Sequence, residues 1–248
     1  MHGSVLGIDI GGTGVKGAPV QLPSGEQLSE RLRIETPHPA TPPAVATVVG
    51  QIVEHFAWNG PIGCTFPGVI RSRAVVETAA NLDKSWIGVD AAALFGSEQC
   101  PVTMINDADA AGLAEMELGR GKDSTGVVLM LTIGTGLGTA IFNNGVLLPN
   151  SELGHLEIDG FVAEHRASSR AMKAEGLSMA AWAKRLEHYL HRIEDLLSPD
   201  LFIIGGGISK KFDEFAPHLS TRARIEPAVL RNHAGIVGAA MAAANPMI

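Results

Sequence analysis

The feature that most constrains this chain is a pattern it contains twice. Ile8-Asp9-Ile10-Gly11-Gly12-Thr13-Gly14 and Leu131-Thr132-Ile133-Gly134-Thr135-Gly136 each run from an apolar strand through a polar residue into a glycine turn, and on into a second extended stretch. A dinucleotide fingerprint or a P-loop needs its glycines to open a helix. Here Val15-Lys16-Gly17-Ala18-Pro19-Val20 follows the first turn and reads as extended, so both turns are expected to close β-hairpins. Their likeness points to an internal duplication, two halves of one design facing each other across a cleft.

The remaining chain supplies the other elements. Apolar positions Val45, Val48, Val49, Ile52, Val53 and Phe56 share one helical face, and so do Met179, Trp182, Leu186, Tyr189, Leu190, Ile193 and Leu197. Short apolar runs at 62–66, 102–105, 127–133 and 200–204 read as strands, and Asn143-Asn144-Gly145 as a hairpin turn. Residues 81–86 are too polar and irregular for core and read as a loop near a site. The small residues of 235–244 read as a closely packed helix suited to packing across the two domains. The expected division is 1–105, a small N-terminal α/β domain completed by the C-terminal helix 235–248, and 106–234, a larger α/β domain.

Composition narrows the function classes. With 248 residues, 46% hydrophobic and 18% charged, the chain fits one large globular unit or two modest domains. A formal charge of −7 argues against nucleic acid as partner, while local basic residues still allow an anionic substrate. Cys64 and Cys100 have no paired spacing and read as buried small hydrophobes in a reducing compartment. The N-terminus enters a strand pattern at once and no apolar run approaches the roughly 20 residues of a membrane span. A soluble, cytoplasmic protein with no membrane partner is expected.

Chemistry concentrates in a few places. Glycine turns let backbone N–H groups approach phosphate oxygens, and Gly11, Gly12, Thr13, Thr132, Gly134, Thr135, Gly136, Gly205 and Gly206 are the expected phosphate contacts, with Lys16 adding charge. Asp9 beside an anion makes sense with Mg²⁺ between them, directly or through water. Asp107 stands at the C-terminal end of a strand and the mouth of a helix reaching about Leu118, where an α/β enzyme tends to put a catalytic acid or base. The rival reading is a helix N-cap, a role open equally to Asn106 and Asp109. Glu152-x-x-His155 lacks the companions of a metal site, and a cluster of Asn, Asp, Glu and His suits the recognition of sugar hydroxyls.

Taken in order, Asp9 to Gly17, Pro67-Gly68, Asn81, Asn106-Asp107, Thr132 to Gly138, Glu152-Leu153-Gly154-His155 and Gly205-Gly206-Gly207 resemble the ROK family of sugar kinases, over nearly the whole chain. Within that family, 81–88, 119–123 and 152–158 are most similar to the actinobacterial polyphosphate glucokinases. The resemblance implies the actin-like ATPase, ribonuclease H-like fold, with two duplicated α/β domains. It implies glucose held by Asn81, Asn106, Asp107, Glu152, His155 and Glu164, with backbone help near Pro67 and Gly68. Asp107 is then the base that accepts the 6-hydroxyl proton during phosphoryl transfer from inorganic polyphosphate, with ATP a further candidate donor; an ATP-only glucokinase or a glucomannokinase is the alternative. It implies a homodimer. Many relatives carry a cysteine-rich zinc segment after the Gly-His pair. Gly160 to Ser168 has no cysteine, so no zinc site is expected, while Glu164 still matches the end of that segment. Lys84, Arg120 and Lys122 are candidates for a polyphosphate track. A sugar-responsive regulator is disfavoured because the first glycine strand begins almost at Met1, leaving no room for a helix-turn-helix.

Overall fold

The computed structural model describes residues 3–80 and 82–245. The chain divides into two compact units, Met1–Ala114 with His233–Ile248, and Glu115–Asn232.

In the first unit, β1 (Gly3–Gly11) and β2 (Gly14–Leu22) form an antiparallel hairpin in which Gly11 faces Gly14, so the first glycine turn closes a hairpin as its flanking residues predict. The short strands β3 (Glu26–Gln27) and β4 (Leu32–Ile34) both pair with β2. Helix α1 (Pro42–His55) starts on prolines, which the first turn tolerates, and buries Val45, Val48, Val49 and Ile52. Strand β5 (Ile62–Phe66) runs parallel to β1, and β6 (Ile70–Arg71) with β7 (Val75–Val76) makes a separate small hairpin. After α2 (Ala91–Phe95), strand β8 (Val102–Asn106) runs parallel to β5 and leads without a loop into α3 (Asp107–Leu118). The sheet order is β3-β2-β1-β5-β8.

Three sequence expectations need correction here. Trp86, read as part of a polar loop, is fully buried; its ring lies 5.0 Å from Phe66 and 5.8 Å from Phe95, and its Nε1 donates to the Ala40 carbonyl. The polar neighbours that suggested a loop are a cap, with Asp83 accepting from the Ser85 amide. The C-terminal helix, Ala234–Ala244, falls in the first unit, and the contacts that demand its small residues lie within that unit rather than across domains. A Cβ on Gly7, Gly63 or Gly238 would lie 2.0, 1.8 or 1.7 Å from the carbonyl oxygens of Ile236, Ala239 and Ala110 respectively, so helix and sheet meet backbone to backbone. The unit boundary falls inside α3, after Ala114 rather than after 105. Glu115, fully buried, belongs to the second unit because its carboxylate accepts from the Arg120 and Leu230 amides.

The second unit repeats the plan. Strands β9 (Val127–Ile133) and β10 (Leu137–Asn143) form the second glycine-turn hairpin, and the Asn144-Gly145 turn leads to β11 (Val146–Leu148). A small hairpin of β12 (Glu157–Ile158) and β13 (Phe161–Val162) precedes α4 (Glu164–Ala167) and α5 (Ser169–Ala174). Helix α6 (Met179–Leu197) is capped by Ser178 and buries Trp182, Leu186, Tyr189, Leu190 and Ile193, the stripe its periodicity predicts. Strand β14 (Leu201–Gly205), α7 (Phe212–Phe215) and β15 (Arg224–Pro227) complete it. The order β10-β9-β14-β15 matches β2-β1-β5-β8 of the first unit, in each case an antiparallel hairpin followed by two parallel strands. Among the described residues no helix is long and apolar enough to cross a membrane.

Candidate active site

In the first unit the site is built around the junction of β8 and α3. Asn106 is buried, and its Oδ1 accepts from the amides of Ala108 and Asp109 at 2.8 and 3.0 Å. The helix cap is therefore Asn106, which settles the competition among the three polar residues. Asp107 follows as the first helical residue, only partly buried, with Oδ1 accepting from Ala108 N at 2.8 Å. The Asn106 Nδ2 donates to the Gly68 carbonyl at 3.1 Å and so ties the Pro67-Gly68 loop to the start of α3. That loop is held on its other side by Ala80, whose amide donates to Pro67 O at 2.8 Å, and by Thr78, whose hydroxyl accepts from Val69 N at 2.9 Å. A Cβ on Gly68 would lie 2.0 Å from Thr78 O, so only glycine permits this closeness. Asn81 lies outside the described residues.

At the first glycine turn Asp9 is bound on both oxygens. Lys16 Nζ donates to Oδ2 and Thr65 Oγ1 to Oδ1, each at 3.0 Å, and Ile10 N donates to Thr65 Oγ1 at 3.1 Å. Lys16, read as a phosphate contact, thus carries a carboxylate partner. Thr13 is exposed at the tip of the turn, and its carbonyl accepts from Arg33 Nη2 at 2.9 Å. Gly235 of the C-terminal helix leaves room for this carboxylate, since a Cβ there would come within 3.1 Å of Asp9 Cγ. Among the described residues no group of three or more His, Cys, Asp or Glu is placed to hold a metal ion. A single carboxylate suits Mg²⁺ that keeps its waters and takes substrate phosphates for the rest, and would not suit zinc.

In the second unit the expected residues gather around the start of β10. Glu164 Oε2 accepts from the Leu137 amide at 3.2 Å, and a Cβ on Gly136 would fall 2.4 Å from that oxygen, so this glycine makes way for Glu164. Arg170, two residues into α5, donates its amide to Gly134 O at 3.3 Å. Gly206, at φ +75, sits where a Cβ would meet Ile133 O at 2.5 Å, which brings Gly205-Gly206 beside the end of β9, with Gly205 in register with Thr132. Thr135 stands exposed at the turn, as Thr13 does at its counterpart.

Glu152 precedes and His155 ends a single turn of tight helix, Leu153–His155, with Glu152 Oε2 3.6 Å from His155 Nε2. This segment is held against β10. Thr139, buried, accepts from the Leu153 amide at 3.1 Å and donates to Ser151 O at 2.8 Å, while a Cβ on Gly154 would lie 2.2 Å from Leu137 O. Burial pushes the Glu152 carboxyl above the usual range; His155 works against that and the Glu164 charge adds to it.

Several positioning residues escaped the sequence reading. Thr65 and Arg33 meet the first glycine turn from 56 and 20 residues away from the groups they bind. Thr139 and Arg170 organise the second in the same indirect manner. Thr65 and Thr139 carried only the signal of a polar residue near glycines, and Arg33 and Arg170 carried none.

Comparison with known proteins identifies the family and the fold. The model of the ROK family matches residues 5–169. A polyphosphate glucokinase of Mycobacterium tuberculosis (strain CDC 1551 / Oshkosh) is 51% identical over 97% of this chain and 91% of its own. Among solved structures, the inorganic polyphosphate/ATP-glucomannokinase from Arthrobacter sp. strain KM is 51% identical, with a TM-score of 0.92 over 97% of this chain and 98% of that one. A ROK family glucokinase from Streptomyces griseus, solved with glucose and AMPPNP, shares the fold at 24% identity and a TM-score of 0.82.

Proposed function

This chain belongs to the ROK family, and from that premise we propose that it transfers a phosphoryl group from inorganic polyphosphate to the 6-hydroxyl of D-glucose, with Asp107 as general base. The observation that supports the catalytic assignment is the place of Asp107: it opens α3 directly at the C-terminal end of β8, partly exposed, beside Asn106, whose Oδ1 caps the helix. A carboxylate accepts the hydroxyl proton as the oxygen attacks. In the loose transition state of phosphoryl transfer, alignment and charge stabilisation contribute more than the base does.

Glucose hydroxyls are assigned to Glu152, His155 and Glu164 in the second unit. In the first unit they fall to Asn106, Asn81, Asp107 and the Pro67-Gly68 backbone. Asn106 can still offer the second N–H of its Nδ2. The Glu152 carboxylate oxygens are acceptors for sugar hydroxyls. Phosphates are assigned to the backbone and hydroxyls of the two glycine turns and to Gly205-Gly206. Asp9 would hold Mg²⁺ through water, and the ion, when bound, neutralises charge on the transferring phosphoryl group. Lys16 and Thr65 orient Asp9 for that task.

The Arthrobacter relative supports a second reading within the same chemistry, with ATP as a donor and mannose as an acceptor. We further assign the chain to the cytoplasm as a homodimer, which sedimentation at graded concentration tests. The deciding experiment for the main reading measures glucose phosphorylation with polyphosphate and with ATP as sole donors. Turnover with polyphosphate is expected; its absence overturns the donor assignment, and absence with both donors overturns the kinase reading.

A further inference from the structure

The second unit contains a cavity of about 340 Å³ formed by the β12–β13 hairpin, α4 and α6. Arg166, Lys184, Arg185 and His188 bring basic groups to its lining, and Asp159 is the one acid there, paired with His188 at 2.9 Å. Arg185 is held from outside by a two-pronged pair with Glu175 at 2.8 and 2.6 Å. The Arg166 guanidinium lies 4.3 Å over the Phe161 ring, a cation–π contact that positions it at the cavity. Tyr189 also lines the cavity, and its hydroxyl is buried with no hydrogen-bond partner, an unmet donor in a setting where such groups are nearly always satisfied. Cations on apolar walls such as Ile158 and Ala163 focus a positive field into the space.

The cavity is joined to the phosphate site by α4. Glu164, its first residue, accepts from Leu137 N at the second glycine turn, and Arg166, two residues on, faces the cavity. The start of α5 also meets that turn: Arg170 is exposed and its amide donates to Gly134 O. Of the candidates suggested by sequence, Arg120 is paired with Glu226 at 3.6 Å, Lys84 belongs to the turn that buries Trp86 in the other unit, and Lys122 is exposed in the turn after α3.

We propose that this cavity holds distal phosphates of the polyphosphate donor, with Arg170 bridging from the second glycine turn to Arg166 and Lys184. The inference rests on polyphosphate being the donor. A repeating anion longer than a triphosphate needs cations beyond those at the reacting end, whereas a nucleotide does not extend its charge that far. The cavity thereby distinguishes long-chain from short donors without touching the reacting atoms.

The test replaces Arg166 and Lys184 by glutamine, singly and together, and measures KM for long-chain polyphosphate, tripolyphosphate, ATP and glucose at several salt concentrations. In the double variant the long-chain KM is expected to rise about tenfold and to lose part of its salt dependence, as for any charge-steered ligand. The KM values for tripolyphosphate, ATP and glucose are expected to stay within about twofold, since these ligands do not reach the focused field. Lys184→Gln alone, at an exposed position, keeps the test valid if Arg166→Gln proves unstable in a thermal melt. An unmoved long-chain KM, or an equal rise for every donor, overturns the proposal while leaving the kinase assignment intact. A wild-type enzyme that uses ATP and no polyphosphate overturns this proposal together with the polyphosphate donor assignment, and leaves the kinase reading standing.

Discussion

The side-chain amide of Asn106 donates to the Gly68 carbonyl at 3.1 Å, which locks a loop after β5 to the first turn of α3. The same side chain caps that helix, so one buried residue sets both the position of the Pro67-Gly68 backbone and the direction in which Asp107 leaves β8.

Asp107→Asn is expected to retain glucose affinity, because the amide keeps the shape and most of the hydrogen-bonding capacity. Turnover should fall by about 10²–10⁴, the usual worth of a positioned base. Steady-state kinetics together with glucose titration of intrinsic tryptophan fluorescence check this. Near-normal turnover removes Asp107 from its role.

Replacing Asn106 by alanine strips a cap and leaves the buried Gly68 carbonyl without its donor. A loss of about 2–4 kcal/mol is expected from the two effects together. Asn106→Asp keeps an acceptor for the Ala108 and Asp109 amides but not the donor to Gly68, so it should recover only part of the lost stability. Denaturant melts of the three proteins decide; equal stability of the alanine and aspartate variants would show that the cap contributes nothing.

Gly154→Ala places a methyl group against the Leu137 carbonyl and must push the Glu152–His155 turn off β10. The expected signature is a raised glucose KM with the donor KM little changed, at a cost of about 1–3 kcal/mol in stability. A variant whose glucose and donor KM rise in parallel would place the turn elsewhere in function.

Glu152 gives a pH dependence with a definite sign. Its carboxyl is raised in the folded protein, first by burial, so between its unfolded and folded values the folded state binds the extra proton. Stability from this group is therefore fully present below the ordinary carboxylate value of about 4.3 and declines as pH rises through the raised value. Glu152→Gln should flatten that part of the profile. Thermal midpoints of both proteins across mildly acidic pH measure it, and parallel profiles would exclude the effect.

Asp9→Asn keeps a partner for Thr65 but removes the negative charge that offsets Lys16 and that would face a hydrated cation. Activity is expected to require a higher Mg²⁺ concentration, with glucose affinity unchanged, and chelation should abolish turnover in both proteins. An unchanged Mg²⁺ requirement would remove Asp9 from metal binding.

Much of the fold was legible because it depends on local rules. The glycine turns lack a following helical pattern and so close hairpins, the apolar stripes of α1 and α6 repeat at the helical period, and the two similar turns anticipate two sheets of one topology. Trp86 was missed because burial of an indole within a polar segment depends on Phe66 and the Ala40 carbonyl, partners distant in the chain. The cap at Asn106 was undecidable for a related reason: three polar residues offered the same local chemistry. Only the approach of Gly68 across the sheet picked one of them. Residue types and their order determined by themselves which groups are candidates for chemistry. Tertiary structure decided which of those groups are spent on holding the backbone, because that turns on contacts across 38 and 56 residues that no local pattern records.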